Sequence, residues 1–330
     1  MSGVVADRLA GFDAPSPNGK SPDSARPRSR TQALAPTTWA AFWKREVPDK
    51  DWVVEPIVPR GRGVVIYGPP KAGKSLFLLD ISAAAATGNS VLGQPPRNRV
   101  PVLYLDFEMT EDDVRERLTD LGYGPASDLS GLTYLQTTLL PPLDTQAGGD
   151  ALMVLVERFL PELVVVDTMA SGVEGEESSA DTYRSFYRWA GRRLKEAGVA
   201  LLRIDHEGKE RGKGQRGSSA KRDDVDVVFR IVRSAETNLR LMCTHSRVPW
   251  VPREVSIMRH LNPVLRHVVA IDSWPAGTME LAATLDEIGV PLDASFNVAN
   301  RALTESFGKG RRKSDVLAAL RFRKEQHPSG

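Results

Sequence analysis

The sequence predicts an α/β fold, a mainly parallel central sheet flanked by helices, followed by a small helical unit at the C-terminus. Three observations carry this. Short apolar runs alternate with amphipathic stretches. The first strong run leads into a glycine-containing loop of the form G-x-x-x-x-G-K-S, which sits between a strand and a helix. Beyond residue 276 the strand-like runs stop and short amphipathic segments take over.

Taken in order, residues 1–36 are rich in Pro, Ser, Gly and Arg without apolar periodicity. They are expected to form a disordered arm, because such a stretch cannot offset its ordering entropy by burial. At Thr38 the texture changes: Trp39, Phe42 and Trp43 have helical spacing, and 52–58 leads into the core. Residues 37–275 read as one domain. Its buried strands are expected at 63–67, 102–105, 163–166 and 199–202, with two more at 226–232 and 239–243. A helix over 74–86 follows the loop, with Gly88 as its stop. A second runs from Thr110, where Thr110 and Asp113 resemble a capping box, to Leu121. A third covers about 181–197, where Tyr183, Phe186, Tyr187, Ala190, Leu194 and Ala197 make one apolar stripe ended by Gly198. Strands alternating with helices indicate a parallel sheet covered on both faces. In 276–330, helices over 279–288, 294–306 and 314–323 are expected.

Composition narrows the function. The chain has 330 residues, 41% of them apolar, and a net charge of +2, so any nucleic-acid role must rest on local patches. A single cysteine, Cys243, excludes an intrachain disulfide framework and multi-cysteine metal sites, and fits a reducing compartment. There is no signal-peptide pattern and no apolar run near the ~18 residues of a membrane span, so a cytoplasmic protein without a membrane role is expected.

The loop Gly68, Pro69, Pro70, Lys71, Ala72, Gly73, Lys74, Ser75, with Leu76 opening the next helix, is the candidate nucleotide cradle. Glycines let several backbone N–H groups converge on phosphate oxygens at a helix N-terminus whose dipole favours anions. Lys74 would add a point charge at the terminal phosphates, and the Ser75 hydroxyl would ligate Mg²⁺, so ATP and Mg²⁺ are the expected cofactors.

Downstream residues supply partners. The apolar strand at 163–166 ends in Asp167, which the sheet edge would set beside the loop to hold Mg²⁺ through water. A second strand ends in Asp106-Phe107-Glu108, and hydrolysis needs a carboxylate such as Glu108 to polarise the attacking water. His206 closes another strand at the same edge, within hydrogen-bonding reach of a terminal phosphate. After it, Lys209, Arg211, Lys213 and Arg216 lie in a glycine-rich stretch free of large apolar residues. Such a loop has two uses: contact with nucleic-acid phosphates, or delivery of an arginine to a neighbouring subunit's ATP.

Together these residues resemble the RecA-like ATPases, most closely the branch of the hexameric plasmid replicative helicase RepA and related phage and bacterial ATPases. The resemblance spans about residues 38–250. It rests on the phosphate loop, Tyr-Leu-Asp-Phe-Glu ending at Glu108, Val-Val-Asp-Thr around Asp167, His206 with Lys209, and Arg-Gly-Ser-Ser-Ala from Arg216. It implies that Glu108 is the catalytic base, His206 a phosphate sensor and Arg216 an arginine finger, in a homo-oligomeric ring or filament with sites at subunit boundaries. Three departures accompany it. Asp205 precedes His206 where two histidines are usual, Lys221 stands where an apolar residue is usual, and His245-Ser-Arg247 replaces the Lys-x-Arg of some relatives. Arg247 is therefore a rival finger.

At the C-terminus, Lys309, Arg311, Arg312 and Lys313 precede an amphipathic helix carrying further cations, which resembles a helix-turn-helix or truncated winged helix. The leading expectation is an oligomeric ATPase acting on DNA, as helicase or replication/recombination protein. The alternative is an ATP-driven regulatory or partitioning switch without unwinding. A small-molecule kinase fits less well, because a water-directing glutamate and trans-acting arginines suit hydrolysis.

Overall fold

The computed structural model describes residues 38–44, 50–136, 140–176, 179–207, 225–233, 237–270 and 278–326. The arm expected at 1–36 and the basic loop carrying Lys209, Arg211, Lys213 and Arg216 lie outside these residues. The chain divides into two compact units, Met1–Val269 and Ala270–Gly330.

In the first unit, α1 (Trp39–Lys44) precedes a short antiparallel pair, β1 (Trp52–Val54) and β2 (Val58–Pro59). Helix α1 exposes Trp39, Phe42 and Trp43, which stack edge to face on one another. The main sheet begins with β3 (Gly63–Gly68), followed by the phosphate loop and α2 (Lys74–Thr87). Then come β4 (Val102–Asp106), α3 (Glu111–Asp120), β5 (Leu132–Gln136), α4 (Gln146–Phe159) and β6 (Leu163–Asp167). Helix α5 (Ala180–Phe186) passes through a π-helical turn, Tyr187–Gly191, into α6 (Arg192–Glu196). Strands β7 (Ala200–His206), β8 (Val227–Arg233), β9 (Asn238–Ser246), β10 (Glu254–His260) and β11 (Arg266–Val269) complete the unit.

The nine strands lie in the order β11-β10-β9-β8-β3-β7-β6-β4-β5. From β8 to β5 every pairing is parallel; β9, β10 and β11 extend the sheet antiparallel beyond β8. The prediction of a mainly parallel sheet holds, and the antiparallel extension goes beyond it.

Strand alternation sorts the side chains into two layers. Val102, Tyr104, Leu163, Val165, Leu202 and Ile204 pack with Phe77, Leu78 and Ile81 of α2. Leu103, Val164, Val166 and Leu201 face the other way, onto Leu152 and Leu155 of α4, Tyr183 and Phe186 of α5 and Leu194 of α6. The period-two rule therefore sends Asp106, Asp167 and His206 to the α2 face, and Arg203 and Asp205 to the opposite one.

Helix α3 realises the capping box: Thr110 Oγ1 accepts from Asp113 N at 3.2 Å, and Thr110 N donates back to Asp113 Oδ2 at 2.9 Å. The β10–β11 hairpin returns over this helix, where Leu265 N donates to Asp120 O and the Arg266 guanidinium lies 5.0 Å from the Tyr123 ring centre. Cys243 is half-buried against the α2-side core, less enclosed than its small apolar character suggests.

The second unit holds α7 (Thr278–Glu287), α8 (Phe296–Phe307) and α9 (Lys313–Gln326) around Ala282, Leu285, Val290, Ala299, Leu303, Val316, Ala319 and Leu320. Buried Arg323 ties it together through Asp286 Oδ1 and Val290 O. In the α8–α9 turn, Lys309, Arg311, Arg312 and Lys313 are exposed, and Arg311 N donates to Asn300 Oδ1 at 2.9 Å. Among the described residues no helix is long and apolar enough to cross a membrane.

Candidate nucleotide site

The loop leaves β3 at Gly68, where a Cβ would lie 2.5 Å from Ile231 O, so the close approach of β8 requires glycine. Lys71 (φ 62°) and Gly73 (φ 87°) are left-handed, which turns successive N–H groups inward as in an anion-binding nest. Pro70 and Lys71 are exposed, Ala72 is buried, and Pro69, Ser75 and Leu76 are partly covered. Gly73 is the N-cap of α2 and brings no side-chain cap, which leaves the first-turn N–H groups to a ligand. Lys74 is buried, with Nζ donating to Gly68 O at 3.1 Å and Pro69 O at 3.0 Å, so the ammonium lies over its own loop.

Strands β4 and β6 are neighbours in register, which sets Asp106 directly opposite Asp167. Each carboxylate is held by a tyrosine. Tyr104 OH donates to Asp167 Oδ2 at 2.7 Å and Tyr134 OH to Asp106 Oδ2, and the two rings stack with centres 5.2 Å apart. Asp106 Oδ1 also accepts from Glu108 N and Met109 N, which shapes the chain leading to Glu108. Ser75 Oγ donates to Asp167 Oδ1 at 3.1 Å, joining the loop to the acid. Burial pushes the Asp167 carboxyl up to about 6, the Asp106 and Glu108 charges push the same way, and the bonds from Tyr104 and Ser75 oppose them. Burial likewise raises Tyr104 well above the ordinary phenol range, so it stays a donor.

Glu108 is exposed just past β4. Its Oε1 accepts from Thr168 Oγ1 at 2.9 Å and Ser171 Oγ at 3.0 Å, and both hydroxyls belong to the segment after Asp167. The fold thus brings the loop, Asp167 and Glu108 to one edge. His206 joins them: the β3–β7 register pairs it with Gly68. Asp205, the residue that departs from the two-histidine pattern, is fully buried on the other face. It pairs with Arg203 at 3.1 Å and accepts from Tyr183 OH at 3.0 Å, while the Arg203 guanidinium lies 5.2 Å and 5.1 Å from the Tyr183 and Phe186 ring centres. It anchors β7 to α5 and has no access to the loop.

Arg247 lies elsewhere. Strand β9 runs antiparallel to β8, so Ser246 pairs with Val227 at the amino edge of the sheet, and exposed Arg247 follows there, its N donating to Asp226 O. From that edge it can serve a nucleotide only across a subunit boundary. Arg216 lies outside the described residues.

Tyr104, Tyr134, Thr168 and Ser171 escaped the sequence reading. The tyrosines sit in apolar strands where an aromatic reads as core; Tyr104 stands two residues before Asp106, and Tyr134, paired with Tyr104 across the strands, had no such neighbour in its own strand.

The donor set fits a magnesium nucleotide: uncapped N–H groups at a glycine N-cap, an ammonium over the loop, and a hydroxyl hydrogen-bonded to a strand-end carboxylate. Ser75 and Asp167 would hold the metal, and Lys74 with the 68–75 backbone the phosphates. No curated protein matches the chain. A family model described as an AAA domain matches residues 26–212, more than half of the chain and a span that includes the loop, both acid-ended strands and His206. With this match and the phosphate-loop geometry in agreement, the chain belongs to the AAA-domain family of P-loop ATPases.

Proposed function

We propose that the protein hydrolyses ATP with Mg²⁺ at this edge and uses the cycle as a RecA-like motor or switch on DNA, in an oligomer of the RepA-like kind. The observation that carries hydrolysis is the seating of Glu108. Thr168 and Ser171 donate to the same oxygen, Oε1, so the carboxylate is held beside the Asp167 segment while Oε2 keeps its accepting capacity. A carboxylate so placed orients a water and accepts its proton as the oxygen attacks the terminal phosphate. Lys74 and the loop N–H groups hold the phosphates, and His206 reports their presence, a role supported by its pairing with Gly68. Bound Mg²⁺ supplies neutralisation of phosphate charge.

The DNA reading is supported by the cations at 209–216, by the exposed Lys309, Arg311, Arg312 and Lys313 of the helical unit, and by the resemblance to RepA-like helicases. Oligomerisation is supported by the position of Arg247, remote from its own loop. The test is the ATPase rate with and without single-stranded DNA, alongside displacement of a labelled strand. Stimulation with displacement is expected of a helicase. Stimulation without displacement assigns the switch, and no stimulation removes the DNA reading. Mixing Arg216→Ala with Lys74→Ala subunits should restore activity if Arg216 acts in trans; a rescue seen only with Arg247→Ala subunits would move the finger there.

A further inference from the structure

The β10–β11 hairpin lies beyond the matched span 26–212, yet it reaches the phosphate loop. In β10, Val255, Ile257 and Arg259 point inward, and Arg259 is only 9% exposed. A Cβ on Gly73 would stand 2.6 Å from Arg259 Nη2, so the guanidinium lies against the N-cap of α2. It is held there from behind. Arg259 Nε donates to His267 Nε2 at 3.2 Å, and His267 Nδ1 lies 2.8 Å from Asp80 Oδ2, on α2 itself. With Nε2 accepting, the ring proton is on Nδ1 and goes to Asp80. The His267 backbone N donates to the same Asp80 oxygen at 2.8 Å, and the ring meets Phe77 edge-on. Asp80, His267 and Arg259 therefore form a buried chain along α2 that ends in a cation at Gly73.

A cation is ill-placed at that end of a helix, where the dipole is already positive. A polyphosphate on the loop reverses the balance, because its negative charge then meets the guanidinium through one glycine. We infer that Arg259 is a positioning residue of the nucleotide site, its charge held by Asp80 and His267 behind Gly73 so that the loop becomes favourable once phosphates occupy it. The inference rests on the nucleotide-binding reading of the loop and adds to it a residue contributed by the distal hairpin.

The test is thermal unfolding and binding of a non-hydrolysable ATP analogue and of ADP, each with Mg²⁺, to full-length wild type, Arg259→Met and Arg259→Lys. In Arg259→Met the nucleotide-induced rise in Tm is expected to shrink and analogue affinity to fall about tenfold, the size of one charge-assisted interaction. ADP, with less charge, should lose less, and Arg259→Lys should recover most of both. If Arg259→Met does not fold, Arg259→Gln, which removes the charge at similar length, decides in the same way. A lowered Tm without nucleotide, combined with wild-type affinity for both nucleotides, would overturn the inference and leave Arg259 a packing residue. Wild type that shows no response to either nucleotide would instead remove the underlying reading of the loop.

Discussion

Replacing Tyr104 by phenylalanine tests whether the Asp167 carboxylate is tuned for a metal. The ring is fully buried and remains in place, so the change removes one hydroxyl and its 2.7 Å bond to Asp167 Oδ2. Burial already raises Asp167 from 3.8 to about 6, a cost of about 3 kcal/mol for its charged form. A hydrogen bond to a charged group contributes roughly 1.5–3 kcal/mol, so its loss lifts the carboxyl by a further one to two pH units or so. At pH 7 the ionised fraction then falls from about nine-tenths to between about a half and a tenth. Magnesium affinity in the presence of nucleotide should fall about two- to tenfold at pH 7 and recover by pH 9. The sign for stability follows from proton binding. A carboxyl raised in the fold binds more protons there than in the unfolded chain, so its contribution is favourable at acid pH and is lost as pH rises through about 6. The stability deficit of the variant without metal should thus be larger at pH 8 than at pH 5. Magnesium titrations by nucleotide fluorescence at three pH values, with thermal melts at two, measure both effects. Equal magnesium affinity in wild type and variant at pH 7 would refute the reasoning.

Other expectations are simpler. Gly73→Ala places a Cβ in left-handed backbone at φ 87° and 2.6 Å from Arg259 Nη2, so nucleotide binding should be lost while circular dichroism stays that of a folded α/β protein. Lys74→Ala removes the ammonium over the loop and should abolish turnover in a phosphate-release assay. Arg323→Ala deletes the buried bond to Val290 O and the bond to half-exposed Asp286, and should destabilise the helical unit by about 1–3 kcal/mol, seen in chemical denaturation, with the basal ATPase rate unchanged.

The strands carrying the site were legible because they are buried on both faces and read as continuous apolar runs; β6 extends its predicted run only by Asp167. In β7 the apolar run stops at Leu202, short of the closing His206, because Arg203 and Asp205 are charged. They are buried as a pair between Tyr183 and Phe186, which no local pattern announces. Helix α4 went unread because Gly148 and Gly149 look like breakers. Both are forced by crowding, since a Cβ would come within 2.0 Å of Pro142 O and 2.4 Å of Trp189 O respectively. The β10–β11 hairpin was missed because its inward row ends in Arg259, a cation where an apolar residue marks a strand. Glu108 was found from chemistry, but the hydroxyls that seat it come from 60 and 63 residues downstream and could not be.

The most direct test of the account is single-turnover ATP hydrolysis by Glu108→Gln, measured beside its affinity for Mg-ATP. The amide keeps the shape and can still accept from Thr168 and Ser171, but it cannot take a proton from water. Affinity should stay within about twofold of wild type, while the hydrolysis step slows by roughly 10²–10⁴. An undiminished rate would show that the water is activated elsewhere and would contradict the assignment of this edge as the hydrolytic site.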